Sequence, residues 1–154
     1  MTTCVFDVKT KTIAVDSRNT DSSGRVFLCD KIERLPGGRF FLGAGHLLTI
    51  AKVRGWALTN FAEEMRPDFE ELFGERADDF SMSCLVISPD GTEVTLIDDE
   101  MTPQPVLDDY VTIGSGGSVA LGALAAGATP EQAVEIAIRY DGNSGGPVKT
   151  YTIG

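Results

Sequence analysis

Thr2 directly follows Met1, and Asp16 and Lys31 follow it within about thirty residues. A threonine at the start of a chain can act as nucleophile and base together, because its hydroxyl attacks while its own α-amine accepts the proton. Such a site needs no histidine, and the single histidine of this chain, His46, has no obvious acidic or nucleophilic partner in sequence. The first residues therefore indicate nucleophilic chemistry at Thr2, provided that Met1 is removed.

The chain is acidic, with 13 basic and 23 acidic residues in 154 and a formal net charge of −10. This charge repels a phosphate backbone and argues against nucleic acid as a partner. Cys4, Cys29 and Cys84 are odd in number, far apart and each in an apolar run, which predicts buried thiols in a reducing compartment and no zinc site. With no basic leader and no bilayer-spanning apolar stretch, residues 1–154 are predicted to form one soluble, cytoplasmic domain.

Strand patterns dominate the first part of the chain. Apolar and β-branched residues at 3–8 and 12–16 flank a tight turn, which predicts a hairpin. A polar stretch at 17–24 leads to a strand at 26–29, and a strand at 39–42 follows a proline–glycine turn, so we expect a second pair of strands. Four strands are thus predicted before any helix.

The spacing of apolar residues changes at Leu47. From Leu47 to Met65 these residues recur at helical spacing, which predicts one long amphipathic helix with Trp56 on its surface. Pro67 ends this run because proline cannot continue a helix. Only a short second helix, over 68–73, is predicted after it.

The second half of the chain combines strands with two more helices. The predicted elements are strands at 82–87 and 93–97 forming a hairpin, a strand at 111–113, a helix at 118–126, a helix beginning after Thr129 and a last strand at 148–153. Thr129, Pro130 and Gln132 form the start signal of the last helix, since threonine caps it, proline suits its first position and glutamine closes the capping box. The order of elements predicts an α+β protein with two antiparallel sheets and helices outside them.

Five short motifs are weak singly but specific in their order. They are Met1-Thr2-Thr3, Val15-Asp16, Cys29-Asp30-Lys31-Ile32, Gly43-Ala44-Gly45 and Ile113-Gly114-Ser115-Gly116-Gly117. In this order, on strands and helices of matching type, they resemble the proteasome β-subunit and HslV-type protease family, N-terminal nucleophile hydrolases with a threonine nucleophile. The resemblance implies a four-layer αββα sandwich of two antiparallel sheets flanked by helices, here in a short and divergent form with a shortened second helix.

By this resemblance Thr2 matches the nucleophile, Lys31 the lysine beside its hydroxyl, and Asp16 the acid near the end of the second strand. The chemistry suits these residue types. A free α-amine has a reference pKa of about 7.7–8.0, and an adjacent ammonium such as that of Lys31 favours its proton-accepting form. Asp16 would then hold Lys31 charged and in place.

Four further residues are carried over from the same resemblance. Gly45 matches the backbone N–H donor to the oxyanion, and Ser115 the serine near the α-amine. Asp141 and Ser144 match supporting residues around the amine, in a loop whose Ser-Gly-Gly sequence is closer to the proteasome β-subunit than to HslV. Because glycine has no side chain, a peptide carbonyl can approach the N–H of Gly45 closely. No metal or cofactor is predicted.

The resemblance also implies partners. We expect a peptide or protein substrate, a homo-oligomer that could close into a ring, and a separate ATP-dependent unfoldase, since the chain has no phosphate-binding glycine–lysine–serine/threonine loop. The chain is shorter than typical members in its second helix and after Gly154, in regions that make ring contacts in the family. A different or open assembly therefore stays an alternative.

Each of these residues has a simpler interpretation on its own. Thr2 could be an ordinary terminal residue, and Asp16 with Lys31 a structural ion pair at strand ends. The glycines could form plain strand-to-helix turns, and Asp141 with Ser144 a turn that ends a helix. Only the joint order of the motifs favours the catalytic interpretation.

Two functions follow, and the state of Met1 separates them. With Met1 removed, Thr2 can serve a threonine-type peptidase or amidohydrolase. With Met1 retained there is no α-amine base, and the chain is then a catalytically inactive or unprocessed assembly or interaction protein of the same fold. His46, beside Gly45, is either a partly exposed residue at a helix start or a residue that lines the substrate pocket.

Overall fold

The computed structural model describes residues 2–68, 70–71, 74 and 81–154. The predicted short second helix includes residues 69, 72 and 73, which lie outside the described residues. Within the described part, the strands are β1 (Cys4–Asp7), β2 (Thr12–Val15), β3 (Arg18–Thr20), β4 (Val26–Leu28), β5 (Glu33–Arg34), β6 (Phe40–Gly45), β7 (Met82–Ile87), β8 (Val94–Asp98), β9 (Gln104–Pro105), β10 (Tyr110–Ile113) and β11 (Lys149–Thr152). The helices are α1 (Leu47–Leu58), α2 (Gly117–Ala125) and α3 (Pro130–Tyr140), with a 3-10 turn at Glu63–Met65.

Two antiparallel sheets form the centre of the molecule. One has four strands in the order β10-β1-β2-β11, and the other has five in the order β5-β6-β7-β8-β9. The predicted hairpins β1–β2 and β7–β8 both form, with Cys4 opposite Val15 in the first and Ile87 opposite Val94 in the second. The remaining two strands, β3 and β4, pair with each other as a separate ribbon.

Three apolar clusters hold four layers together. The cluster between the two sheets includes Phe6 and Ile13 from one sheet and Leu42 and Leu85 from the other, and all four side chains are fully buried. A second cluster packs α1 on the outer face of the five-stranded sheet, and a third packs α2 and α3 on the four-stranded sheet. Each such buried side chain contributes roughly 1.5–3 kcal/mol to folding. The predicted αββα arrangement is confirmed.

The start of α3 follows the predicted capping box. The Thr129 hydroxyl oxygen accepts a hydrogen bond from the Gln132 N–H at 3.2 Å, and the Gln132 side-chain oxygen accepts one from the Thr129 N–H at 3.0 Å. These bonds satisfy donors that have no partner inside the helix. They fix the N-terminal end of α3, and the C-terminal end of the helix leads to Asp141.

The first helix is shorter than predicted, ending at Leu58 and not near Met65. The Thr59 hydroxyl donates to the Trp56 carbonyl at 2.6 Å, and the chain then turns through a positive φ of 58° at Asn60. Because of these local contacts the helix ends seven residues before the apolar pattern ends at Met65. Within the described residues, no helix has the length and apolar character that crossing a membrane requires.

The prediction that Trp56 lies on the helix surface is wrong. Its side chain is 2% exposed, and its indole N–H donates to the Ala62 carbonyl at 2.8 Å. The buried stripe of α1 consists of Thr49, Val53, Trp56 and Ala57. The apolar residues at the two ends of the helix, Leu47 and Leu58, are instead exposed.

The polar stretch at 17–24 contains a strand that the sequence did not indicate. This strand, β3, pairs with β4, whereas β6 pairs with β5 and β7. All three residues of β4 are exposed, Val26 by 56%, Phe27 by 39% and Leu28 by 63%. The β3–β4 ribbon therefore lies outside the three apolar clusters and forms one wall of the cavity described below.

Candidate active site

Thr2 and Asp16 lie at the open end of the β1–β2 hairpin. The hairpin register continues past the strands, because the Asp16 N–H donates to the Thr3 carbonyl at 3.1 Å and the Thr3 N–H donates to Asp16 Oδ1 at 3.0 Å. Lys31 reaches this end from the segment between β4 and β5. Its Nζ lies 3.0 Å from Thr2 Oγ1 and 2.9 Å from Asp16 Oδ1.

The ion pair between Asp16 and Lys31 is buried, with side-chain exposures of 0% and 7%. Asp16 also accepts a hydrogen bond at Oδ2 from the Gly145 N–H at 3.0 Å. Both carboxylate oxygens therefore have charged or backbone donors, which offset the cost of burying a carboxylate. This arrangement fixes a cation against the hydroxyl of Thr2.

A second polar network surrounds the backbone of the first residues. Ser115 Oγ and Ser144 Oγ each donate to Asp141 Oδ2 at 2.6 Å. Ser144 Oγ is also 2.7 Å from the hydroxyl of the fully buried Thr3. On the other side, Ser115 Oγ lies 3.5 Å from the Thr2 carbonyl oxygen. The structure thus brings Ser115, Asp141 and Ser144 together around the terminal strand.

The pKa of Asp141 lies below its ordinary value. Partial burial acts to raise this pKa, but the hydrogen bonds donated by Ser115, Ser144 and the Asn143 N–H outweigh it. Asp141 is therefore ionised at neutral pH and acts only as an acceptor. Its role here is to orient the two serine hydroxyls.

Glycines allow the segments around Thr2 to approach each other. Gly114 has a φ of 95°, and a Cβ there would lie 2.0 Å from the Thr2 carbonyl oxygen. Gly45 has a φ of 115°, and a Cβ there would lie 2.4 Å from the Ser81 carbonyl oxygen. Both positions require glycine for conformation and for space. The backbone of Gly45 can consequently border the same cavities as Thr2.

Two cavities meet at Thr2. The larger, about 660 Å³, is lined by Thr2, Lys31, Gly45 and His46 together with residues of the β3–β4 ribbon and the start of α1. The smaller, about 260 Å³, is lined by Thr2 and by residues that include Gly45, Ser115 and Asp99. Among the residues that the structure describes, Thr2 and Gly45 alone line both cavities. A bound peptide that passes Thr2 would extend into both cavities.

Two of the three cysteines, Cys4 and Cys84, offer no competing nucleophile. Burial raises the pKa of the Cys4 thiol to about 12, although the nearby Lys31 acts to lower it, and burial raises the pKa of Cys84 as well. Both thiols therefore stay protonated and unreactive at neutral pH. Cys29 differs from the prediction, because it is only half-buried and lines the larger cavity.

Sequence reasoning named two residues of this region within motifs but assigned them no role. Thr3 is a buried polar residue that links β1 to Ser144. Gly116 lies against it, since a Cβ there would be 2.0 Å from Thr3 Oγ1 and 3.2 Å from Asp141 Oδ2. The only signal for Thr3 was a polar residue in an otherwise apolar strand pattern. Nothing in the sequence distinguished Gly116 from the neighbouring glycines.

Gly116→Ala is expected to destabilise the protein by roughly 1–3 kcal/mol, because the added methyl group overlaps Thr3 Oγ1 and must displace the network. The backbone at Gly116, with a φ of −89°, accommodates alanine, so crowding alone is tested. Gly122→Ala in α2 is the control, since a Cβ there meets nothing within 4 Å and helix propensity favours alanine by up to about 1 kcal/mol. Urea unfolding measures both, and equal stability of the two variants would contradict the close packing.

Comparison with known proteins supports the fold. No known family model matches the chain, and no curated protein matches it. Among solved structures it is similar to HslV from Trypanosoma brucei, with 22% identity and a TM-score of 0.67 over 97% of both chains. It is also similar to Thiobacillus denitrificans BPH in complex with epoxomicin, with 18% identity and a TM-score of 0.64 over 100% of both chains.

These alignments span nearly the whole of each protein, so this chain shows no large loss of length relative to either of them. The aligned part of this chain, 97% in one case and 100% in the other, contains both sheets and the helices on each side. At this level of identity, the similarity concerns the fold. The chain therefore has the proteasome-like αββα fold of HslV and BPH.

Proposed function

We propose that this chain is a threonine-type peptidase or amidohydrolase that uses Thr2 as its N-terminal nucleophile after removal of Met1. One observation carries the proposal: Lys31 Nζ lies 3.0 Å from Thr2 Oγ1 and 2.9 Å from the buried Asp16. A structural ion pair needs no third contact with a terminal hydroxyl. An ammonium in this place stabilises negative charge on the attacking oxygen.

The reaction proceeds in two steps. The α-amine of Thr2 accepts the proton of Oγ1 as this oxygen attacks the substrate carbonyl carbon. The C–N bond then breaks, the leaving amine takes the proton, and the acyl group stays on Oγ1 as an ester. Water next attacks the ester while the α-amine accepts its proton, and the proton passes to Oγ1 as the acid is released.

The other predicted residues would support this reaction by positioning the oxyanion donor and the α-amine. Gly45 borders both cavities beside Thr2, and we propose that its N–H donates to the oxyanion. Ser115, Asp141 and Ser144 hold the backbone of the first strand, which would direct the α-amine towards Oγ1. General base catalysis of this kind contributes about 10²–10⁴-fold to rates.

The two cavities suggest a peptide or protein substrate that lies across Thr2. We propose that the acyl side occupies the cavity of about 660 Å³ and the leaving amine the cavity of about 260 Å³. Two carboxylates, Asp98 and Asp99, line the smaller cavity. They would favour a departing group that becomes a cation when it takes up a proton.

A second candidate function is a catalytically inactive assembly or interaction protein. The observation that favours it is the exposed apolar strand β4, whose three residues are Val26, Phe27 and Leu28. A two-stranded ribbon is marginally stable alone, and contiguous exposed apolar residues mark contact surfaces. We propose that this ribbon contacts another copy of the chain in a homo-oligomer, whether ring-shaped or open, and that any ATP-dependent unfoldase is a separate chain.

Intact-protein mass spectrometry of material from the native source tests the proposal. We expect the mature chain to begin at Thr2 and to bind one molecule of epoxomicin, the compound present in the BPH complex. Peptide mapping should place the adduct on Thr2, and Thr2→Ala should abolish it. Retention of Met1 on every molecule would refute the peptidase and, with a stable oligomer, favour the second candidate.

A further inference from the structure

One arginine of the β3–β4 ribbon, Arg18, contacts the loop at 141–146 that follows α3. Its Nη2 donates a hydrogen bond to the Gly142 carbonyl, and its backbone N–H donates to the Gly145 carbonyl at 2.9 Å. A Cβ on Gly145 would lie 2.9 Å from each of the guanidinium atoms Cζ, Nε and Nη1. Equal distances to these atoms of a planar group place the face of the guanidinium, and not its edge, against Gly145.

The guanidinium makes these contacts at a cost in free energy. Arg18 Nε is buried and has no hydrogen-bond partner among the described residues. A buried N–H without an acceptor is destabilising, and an apolar side chain at this position would avoid the loss. Such groups are rare in folded proteins, and local violations of this kind are expected at functional sites. The cost indicates that the place of the guanidinium matters for more than the stability of β3.

The loop that Arg18 contacts supplies part of the candidate site. The Gly145 N–H donates to Asp16 Oδ2 at 3.0 Å, and Asp16 Oδ1 accepts from Lys31 Nζ at 2.9 Å. Arg18 covers Gly145 where a side chain would stand and also binds its carbonyl, so it restrains this residue at two points. A displacement of Gly145 would leave one oxygen of a buried carboxylate without its donor.

We propose that Arg18 is a positioning residue that fixes the Gly145 N–H against Asp16 and thereby the direction of the carboxylate that faces Lys31. Arg18 lines neither cavity at Thr2, so its effect on a bound peptide passes through the loop. The restraint on Gly145 is a property of the fold, whereas its effect on catalysis rests on the proposed function.

Amide hydrogen exchange followed by NMR tests the restraint without any turnover. Arg18→Met keeps a long side chain but loses the donors and the planar face. The Leu85 amide lies in β7, inside the five-stranded sheet, and reports opening of the whole core. We expect the ratio of the Gly145 exchange rate to the Leu85 rate to rise about 10-fold in this variant. An unchanged ratio would overturn the proposal.

Arg39 provides a matched control. It is half-buried like Arg18, and its Nη2 also donates to a backbone carbonyl, that of Ala57 in α1, at 2.8 Å. Arg39→Met removes the same kind of bond away from the loop and should leave the exchange ratio unchanged. An equal rise in both variants would mean that the loop responds to any such loss, and would overturn the specific role of Arg18.

Two further variants separate the planar face from the charge. Arg18→Lys keeps the charge and one donor group but has no planar face, so the ratio should stay at least about 3-fold above the wild type. Gly145→Ala keeps Arg18 but places a methyl group 2.9 Å from the guanidinium, whose long side chain can move away. Corrected for intrinsic rates, protection of the residue-145 amide should fall as in Arg18→Met. Full protection in either variant would overturn the role of the face.

Kinetics on a peptide amide test the effect on catalysis. Because Arg18 lines neither cavity, Arg18→Met should lower kcat about 10-fold with KM unchanged, and Arg39→Met should match the wild type. An unchanged kcat in an active enzyme would overturn the positioning role. If the wild type proves to be inactive, the proposed function fails, and the exchange ratio still decides whether Arg18 fixes Gly145.

Discussion

Replacing Thr2 by alanine is expected to lower kcat/KM for a peptide amide by at least about 10³-fold, because the variant has no oxygen to form the acyl ester. The change removes the hydrogen bond that Lys31 Nζ donates to Thr2 Oγ1. The ion pair between Lys31 and Asp16 stays. We therefore expect the free energy of unfolding to fall by no more than about 1–2 kcal/mol. Steady-state kinetics together with urea unfolding give the two quantities on the same protein.

Two control variants identify the reacting group. Thr2→Ser retains a hydroxyl and an α-amine and should keep measurable turnover and a burst of acylated enzyme. Thr3→Val preserves shape but removes the hydroxyl beside Ser144, so it should lower stability without abolishing acylation. Full turnover by Thr2→Ala would show that the nucleophile is another group, and loss of acylation only in Thr3→Val would indicate the neighbouring threonine.

The elements that sequence predicted best are those defined by local signals. The β7–β8 hairpin follows from a proline–aspartate–glycine turn between two apolar runs, and α3 follows from its capping box. The end of α1 was missed because the Thr59 hydroxyl and the positive φ of Asn60 override an apolar spacing that continues to Met65. Local backbone contacts decided this boundary, and apolar periodicity does not report them.

The burial of Trp56 and the presence of β3 had tertiary causes. Trp56 is covered by residues that follow the helix, with Phe61 edge-on at 5.1 Å between ring centroids. β3 consists of Arg18, Asn19 and Thr20, which carry no apolar alternation, and it forms only because β4 pairs with it. Neither feature can be predicted from residue spacing in a single segment.

The candidate site could be assembled from the sequence only through the family resemblance. Asp16 and Lys31 are distant from Thr2 in sequence, and the hairpin register and the β4–β5 segment bring them together. Their catalytic roles stay predictions. The contact between Thr3 and Ser144 joins residues at opposite ends of the chain, and no motif indicated it.

A double-mutant cycle on Asp16 and Lys31 is expected to show strong coupling. Every group that contacts the Asp16 carboxylate, namely Lys31 Nζ and the N–H groups of Thr3 and Gly145, is a donor. Asp16→Asn places an amide N–H₂ against one of these donors and removes the negative charge that lies 2.9 Å from the buried Lys31 Nζ. We expect this variant to lose roughly 3–5 kcal/mol of unfolding free energy and most of the activity.

Lys31→Met should also destabilise the protein, because it leaves a buried carboxylate with backbone donors alone. In the double variant no buried charge is left unpaired, so its loss should be smaller than the sum of the single losses by roughly 1–3 kcal/mol. The exposed pair Lys9–Asp109, with side-chain exposures of 69% and 59%, provides the matched control and should couple by less than about 1 kcal/mol. Urea unfolding of both cycles measures the difference. Equal coupling in the two pairs would mean that Asp16 and Lys31 are effectively solvated, and Lys31 would then present no fixed, desolvated charge to Thr2.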